Sequence, residues 1–260
     1  MCQQDRVVVD ECACDHDMHD GSRARGWDRP RRGITDRCWG YEPSMRLHPG
    51  ETEAVGWRVV TVFDAVRQLR DAAPDVTGRP RVIAIDGRGG AGKTTLAERL
   101  RKVEANSAIV HTDDVAWNHA YFDWGAVLAE NILQPLHRGE SVNFRPDAWI
   151  SHDRAGSITI PAGTDFIWIE GTGIIRDELG PWLDASVYLQ GDLDEQERLL
   201  VARDGDSPEQ QEHVTNWLRE ELPFILRERP WSRATLIVAG PSAIDHDPET
   251  ELVVAPPISR

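Results

Sequence analysis

The chain has 260 residues, with 44 acidic and 29 basic side chains, a formal net charge of −15 and 40% hydrophobic residues. A surface of that sign attracts neither a nucleic-acid backbone nor an anionic membrane, which excludes a general nucleic-acid or lipid-surface binder and leaves room only for a local basic pocket. No apolar stretch approaches the roughly 20 residues of a membrane span, and the first residues lack the apolar core of a secretory signal, so a cytoplasmic protein is expected.

One α/β domain of ordinary size plus extra segments fits this length, and its core needs no metal or disulfide staple. All four cysteines, Cys2, Cys12, Cys14 and Cys38, fall at the start of the chain. The remainder can therefore use neither a thiol nucleophile nor a disulfide. Cys12, Cys14, His16 and His19 have spacings that fit poorly with the usual zinc patterns. Residues 1–54 are rich in Asp, Arg, Gly and His and show no sustained period. They are expected to form a disordered N-terminal extension, before a domain at 55–240 and a surface tail at 241–260.

In chain order, Trp57–Val60 suits a short edge strand. Val62, Val66 and Leu69 then repeat on one face of a helix, which Ala73-Pro74 ends. Val82–Ile85 is an apolar run suited to a buried parallel strand, followed by Gly87–Thr94, which reads GxxxxGK and then Thr, and by a helix. Strand, glycine loop and helix in that order make a phosphate-binding loop. Gly87, Gly89, Gly90 and Gly92, with Ala91 among them, let successive backbone N–H groups turn inward, and the helix start at Thr94 and Thr95 adds partial positive charge. Lys93 would reach the β- and γ-phosphates of ATP, and the Thr94 hydroxyl would ligate Mg²⁺.

The next apolar run, Ala108–His111, ends at Thr112-Asp113-Asp114. An acid past the carboxyl end of a strand faces the ligand edge of an open α/β sheet, so Asp113 is a candidate base, with turn capping as the alternative. Trp117, His119, Tyr121, Phe122 and Trp124 follow. They either wall a substrate pocket or pack the helix carrying Leu128, Ile132 and Leu136. Residues 141–154 carry Arg145, His152 and Arg154 in an excursion that is either a substrate-binding insertion or a solvated loop. Phe166–Ile169 suits a buried strand ending at Glu170, which is either a second acid beside the metal or a helix cap or loop acid.

Ala185–Leu189 is a further strand. Leu193–Arg203 reads as an amphipathic helix interrupted at residues 204–208, a break that suits a small lid in which Arg203 could stabilise transferring charge. Residues 209–229 form a long helical stretch broken or bent at Pro223, and Ala234–Ala239 is a last buried strand.

Taken together, GRGGAGKTT, the acid in TDD, the excursion ending in HDR, the strand-terminal acid in IWIEG and Arg203-Asp204 resemble the uridine kinase family of phosphate-loop small-molecule kinases, over residues 80 to 240. The resemblance implies a three-layer P-loop NTPase fold, with a parallel sheet of about five strands between helices and a small lid. It also implies ATP and Mg²⁺ as cofactors, Lys93 and Thr94 as their ligands, Asp113 as base, Glu170 as a metal-side acid and Arg203 near the phosphates. Trp117, Arg145, His152 and Arg154 fall on the acceptor side. The chain departs from the family pattern at Asp114-Val115-Ala116, at Asp147-Ala148 and in the lid, DGDSPE. The expected activity is phosphoryl transfer to a hydroxyl of a small-molecule acceptor, a nucleoside or related metabolite. The alternative is an ATP-binding regulatory module without kinase activity. Oligomeric state is open.

Overall fold

β2 (Arg81–Gly87) is the central strand, and its neighbours explain its composition. The computed structural model describes residues 45–258. β2 pairs in parallel with β6 (Phe166–Glu170) on one side and β7 (Ala185–Gln190) on the other. β3 (Ser107–His111) lies outside β6, and β8 (Leu236–Ala239) outside β7. A strand with neighbours on both edges and helices on both faces has no solvent side, and six of the seven β2 residues are buried. Alternate side chains point to opposite faces. Val82 and Ala84 enter one core with Ile167, Ile169, Tyr188 and Ile237, whereas Ile83 and Ile85 enter the other with Trp168, Val187 and Leu189.

The second of these cores is covered by α1 (Val62–Ala72) and α2 (Lys93–Val103), through Val66, Leu69, Leu96 and Leu100. Thr61 starts α1 by accepting a hydrogen bond from the Asp64 N–H at 3.0 Å. The first core is covered by one continuous rod, α4 (Gly125–Leu128), a π-helical turn at Ala129–Leu133 and α5 (Gln134–His137), together with the end of α8 (Pro208–Glu228). Leu128, Ile132 and Leu136 are buried on its inner face, as their spacing predicts. The three-layer α/β fold with five parallel strands is the expected one, in the spatial order β3-β6-β2-β7-β8.

Two antiparallel strands extend it to seven. β9 (Glu251–Ala255) pairs with β8, and β1 (Arg58–Thr61) closes the edge against β9. Residues 241–258 are thus not simply a surface tail, because Leu252, Val253 and Val254 are buried. The prolines flanking this short apolar run obscure it in the sequence.

The expected extension also ends earlier than residue 54. Ala54 donates its N–H to Gln190 Oε1 at 2.7 Å. Gln190 Nε2 donates to Glu51 Oε1 and to the Thr52 carbonyl, each at 2.9 Å. Gln190 is buried, so its amide needs partners, and this segment supplies them. The expected disorder of residues 1–44 and the four cysteines lie outside the described residues, all of which fall within one compact unit, 43–260.

The remaining elements lie towards the carboxyl ends of the parallel strands or beside them. α3 (Thr112–Ala116) follows β3 directly. β4 (Val142–Phe144) and β5 (Ile158–Ile160) form a separate antiparallel ribbon enclosing α6 (Asp147–Ser151). α7 (Leu193–Asp204) follows β7, capped by Asp192, and leads through Gly205 to α8, capped by Ser207. α8 runs through Pro223 as one helix.

Candidate active site

The loop between β2 and α2 opens onto a cleft of about 1070 Å³ lined by Gly89, Gly90, Gly92, Lys93, Thr94 and Thr95 on one wall. Gly92 is the N-cap of α2, with φ +91° and open space where a Cβ would stand. Gly90 has φ +76°, and a Cβ there would lie 2.5 Å from the Gln196 carbonyl oxygen on α7. Only glycine meets both demands at that position. Gly87 ends β2 and Ala91 is buried, so these two shape the turn from behind. Lys93 Nζ donates to the Arg88 carbonyl at 2.9 Å and to Thr172 Oγ1 at 3.2 Å. Desolvation lowers the Lys93 pKa, while Glu170, Asp86, Glu221 and Asp113 favour its charged form.

Strand register brings the acid to this loop. His111, Ile85 and Glu170 stand in one row across β3, β6 and β2, so His111 and Glu170 project on the same side. Glu170 Oε1 is 2.6 Å from His111 Nδ1 and accepts the Thr94 hydroxyl at 3.0 Å. Burial pushes the Glu170 carboxyl up, but His111, the Lys93 charge and Thr94 outweigh it and hold the group below the usual carboxylate range. The hydrogen bond to Glu170 raises the His111 pKa in turn. Oxygen donors at a helix N-terminus suit a hard divalent cation such as Mg²⁺. Among the described residues no group of three or more His, Cys, Asp or Glu side chains is placed to hold a metal ion by itself.

Asp86 ties the loop to the segment after β6. It is buried and accepts N–H bonds from Gly87, Gly173 and Ile175 at 2.7, 2.9 and 2.8 Å. Burial is the largest influence and raises its pKa to about 6.

The opposite wall includes Asp113 and Trp117, with Tyr121, Arg203 and Trp217. Asp113 is exposed on α3, and its charge acts on both Lys93 and Arg203. Arg203 makes a bidentate pair with its own neighbour Asp204, both bonds at 2.7 Å. The aromatic cluster divides between both readings. Phe122 stacks on Phe224 at 3.9 Å and Trp124 is buried against the core while bordering the cleft, which Trp117, His119 and Tyr121 also line.

His152, Arg154 and Arg145 do not line this cleft among the described residues. They brace the excursion behind it. His152 stacks on Trp117 at 4.6 Å, and Arg154 pairs with Asp114 at 2.6 Å while lying 3.7 Å over the Trp149 ring. Arg145 donates to the Arg154 carbonyl.

Sequence spacing alone passes over Asp86, Arg88, His111, Thr172, Trp217 and Glu221. Asp86 has a signal, an acid closing an apolar run just before the loop. Trp217 and Glu221 have none, since they stand far along the chain on α8. A second depression of about 530 Å³, lined by Arg79, Arg81 and Phe166 among others, lies at the amino ends of β2 and β6, away from the loop.

No protein-family model matches the sequence, and no curated protein does. The chain is similar to solved structures described as kinases. One is described as a possible uridine kinase from Bacillus stearothermophilus, 21% identical, with 68% of this chain and 96% of that one covered and a TM-score of 0.47. Another is the D-glycerate 3-kinase from Cryptococcus neoformans, 14% identical, with 68% and 92% covered and a TM-score of 0.43.

Proposed function

We propose that this protein transfers the γ-phosphoryl group of ATP to a hydroxyl of a small molecule. The observation that carries this reading is the meeting of Lys93, Thr94, Glu170 and Asp113 around one cleft, with Thr94 and Glu170 hydrogen-bonded to each other. The α2 N-terminus and the loop N–H groups would cradle the phosphates, and Lys93 would leave its bond to the Arg88 carbonyl to meet them. Mg²⁺, held by Thr94 with Glu170 beside it, would neutralise charge on the leaving phosphates.

The acceptor oxygen attacks the γ-phosphorus. The new O–P bond forms as the bond to the β-bridging oxygen breaks, and the hydroxyl proton passes to the Asp113 carboxylate. Arg203 turns from Asp204 to the transferring group. The chain's task is positioning and charge neutralisation in a site that closes over its substrates.

A regulatory ATP-binding module is the second reading, favoured by the engagement of Arg203 with Asp204. Acceptor-dependent ADP formation with Mg²⁺-ATP separates the two, using nucleosides, nicotinamide riboside, pantothenate, polyols and sugar acids. Turnover stimulated by one of them and lost in Asp113→Asn supports the kinase. Stoichiometric ATP binding with no product across the panel supports the module.

A further inference from the structure

Glu221 stands on α8 at the cleft wall, only 1% exposed, and among the described residues its Oε1 atom has no hydrogen-bond partner. The opposing charge is Arg88 of the glycine loop, with Nη2 3.7 Å from Glu221 Oε2 and its own Nε likewise buried and without a partner. Trp217, one helical turn before Glu221, lines the same cleft, with its ring 5.7 Å from Tyr121. Buried polar atoms are nearly always satisfied, and an exception at a cleft wall marks where a ligand atom can complete the set.

We infer that Glu221 and Arg88 form the acceptor-recognition subsite of this cleft and that it takes a neutral polyhydroxy group, such as a sugar alcohol or a nucleoside ribose, rather than a carboxylic acid. This rests on the kinase reading for the word acceptor, and the two can fail separately.

The chemistry of the pair sets the preference. A carboxylate oxygen only accepts and a guanidinium only donates, whereas a hydroxyl does both. Neighbouring hydroxyls can therefore give a proton to Glu221 Oε1 and take one from Arg88 Nε. An acid acceptor brings oxygens that only accept, and it meets Glu221, Asp113 and Glu170 on the same cleft while Arg88 is already countered by Glu221. Burial pushes the Glu221 carboxyl up despite Arg88, Lys93 and a hydrogen bond from Trp217. An ammonium group would suit Glu221 but face Arg88. The aromatic faces of Trp217 and Tyr121 suit the C–H face of a sugar or a flat base.

The test is calorimetric binding to the full chain saturated with a non-hydrolysable ATP analogue and Mg²⁺, using ribitol against ribonate, glycerol against glycerate, and uridine. At least one neutral compound is expected to bind, with ribitol or glycerol at least tenfold tighter than its matched acid. Glu221→Gln should reduce that preference at least fivefold while the analogue's own affinity stays within twofold. A tighter-binding acid, no binding of any neutral compound, or an unchanged preference in the variant overturns the inference. Because the wild-type comparison stands by itself, a variant that does not fold leaves the inference decidable. Neutral binding without ADP formation from ATP would sink the kinase reading and keep the subsite, whereas ADP formation with acids preferred would do the reverse.

Discussion

The side of the cleft formed by the glycine loop, α2 and the ends of β2, β3 and β6 differs from the side formed by α3, α7 and α8 in how far its polar groups are already satisfied. On the loop wall, Lys93 has two hydrogen bonds, Thr94 and His111 both meet Glu170, and Asp86 accepts three N–H bonds, while Arg88 Nε is buried without a partner among the described residues. On the other wall, among the described residues, Asp113 is exposed, Trp117 is 38% exposed, Arg203 pairs with its neighbour Asp204, and Glu221 keeps an unpaired oxygen. A wall that contacts phosphate can be pre-organised by the chain itself, since phosphate geometry is constant. A wall that selects an acceptor must leave groups open for it, and the open groups mark where selectivity resides.

Substitutions on the two walls should therefore differ in kind. The largest effects belong to the chemistry. Asp113→Asn is expected to lower acceptor-dependent ADP formation by ~10²–10⁴-fold with ATP-analogue affinity within twofold. Lys93→Ala should lower turnover by at least ~10²-fold and weaken the analogue as well. Equal losses of analogue binding in both variants would erase the contrast between the walls.

Next comes the support of the loop wall, measured by pH-dependent unfolding. The Asp86 pKa is raised in the folded protein from 3.8 to about 6, so its contribution to stability is fully present below pH 3.8 and is lost as pH rises through 6. Relative to the non-titrating Asp86→Asn, the wild type should lose about 3 kcal/mol between pH 3.5 and pH 7. A difference independent of pH would place Asp86 outside this coupling.

Gly90→Ala forces a Cβ against the Gln196 carbonyl at a positive φ, and thermal unfolding should show a cost of about 1–3 kcal/mol. Arg154→Ala should have the smallest effect. Its ion pair with Asp114 is partly exposed, so unfolding should register about 0.5–1 kcal/mol of lost stability. A larger change in acceptor affinity than in stability would move Arg154 from bracing to recognition.

By itself the sequence determined what depends on neighbours along the chain. The continuous apolar runs of β2 and β6, with the short run in β7, mark buried strands, because alternate residues face two cores. The loop's glycines and Lys93-Thr94 mark phosphate chemistry, because a local turn presents backbone N–H groups to a helix start. The acids Asp113 and Glu170 were legible because strand ends converge on one edge of an open sheet. Tertiary structure alone decided what depends on pairing between distant segments. Ala54 and Glu51 satisfy the buried Gln190, β9 joins β8 because its apolar residues need a sheet to cover them, and His111 reaches Glu170 only through strand register. Arg88 and Glu221 are far apart in the chain, and only the passage of α8 across the loop makes them one pair. Local periodicity carries no information about which remote charge will face a given cleft, and that is why the glycine loop could be placed from sequence while the charges paired across the cleft required the fold.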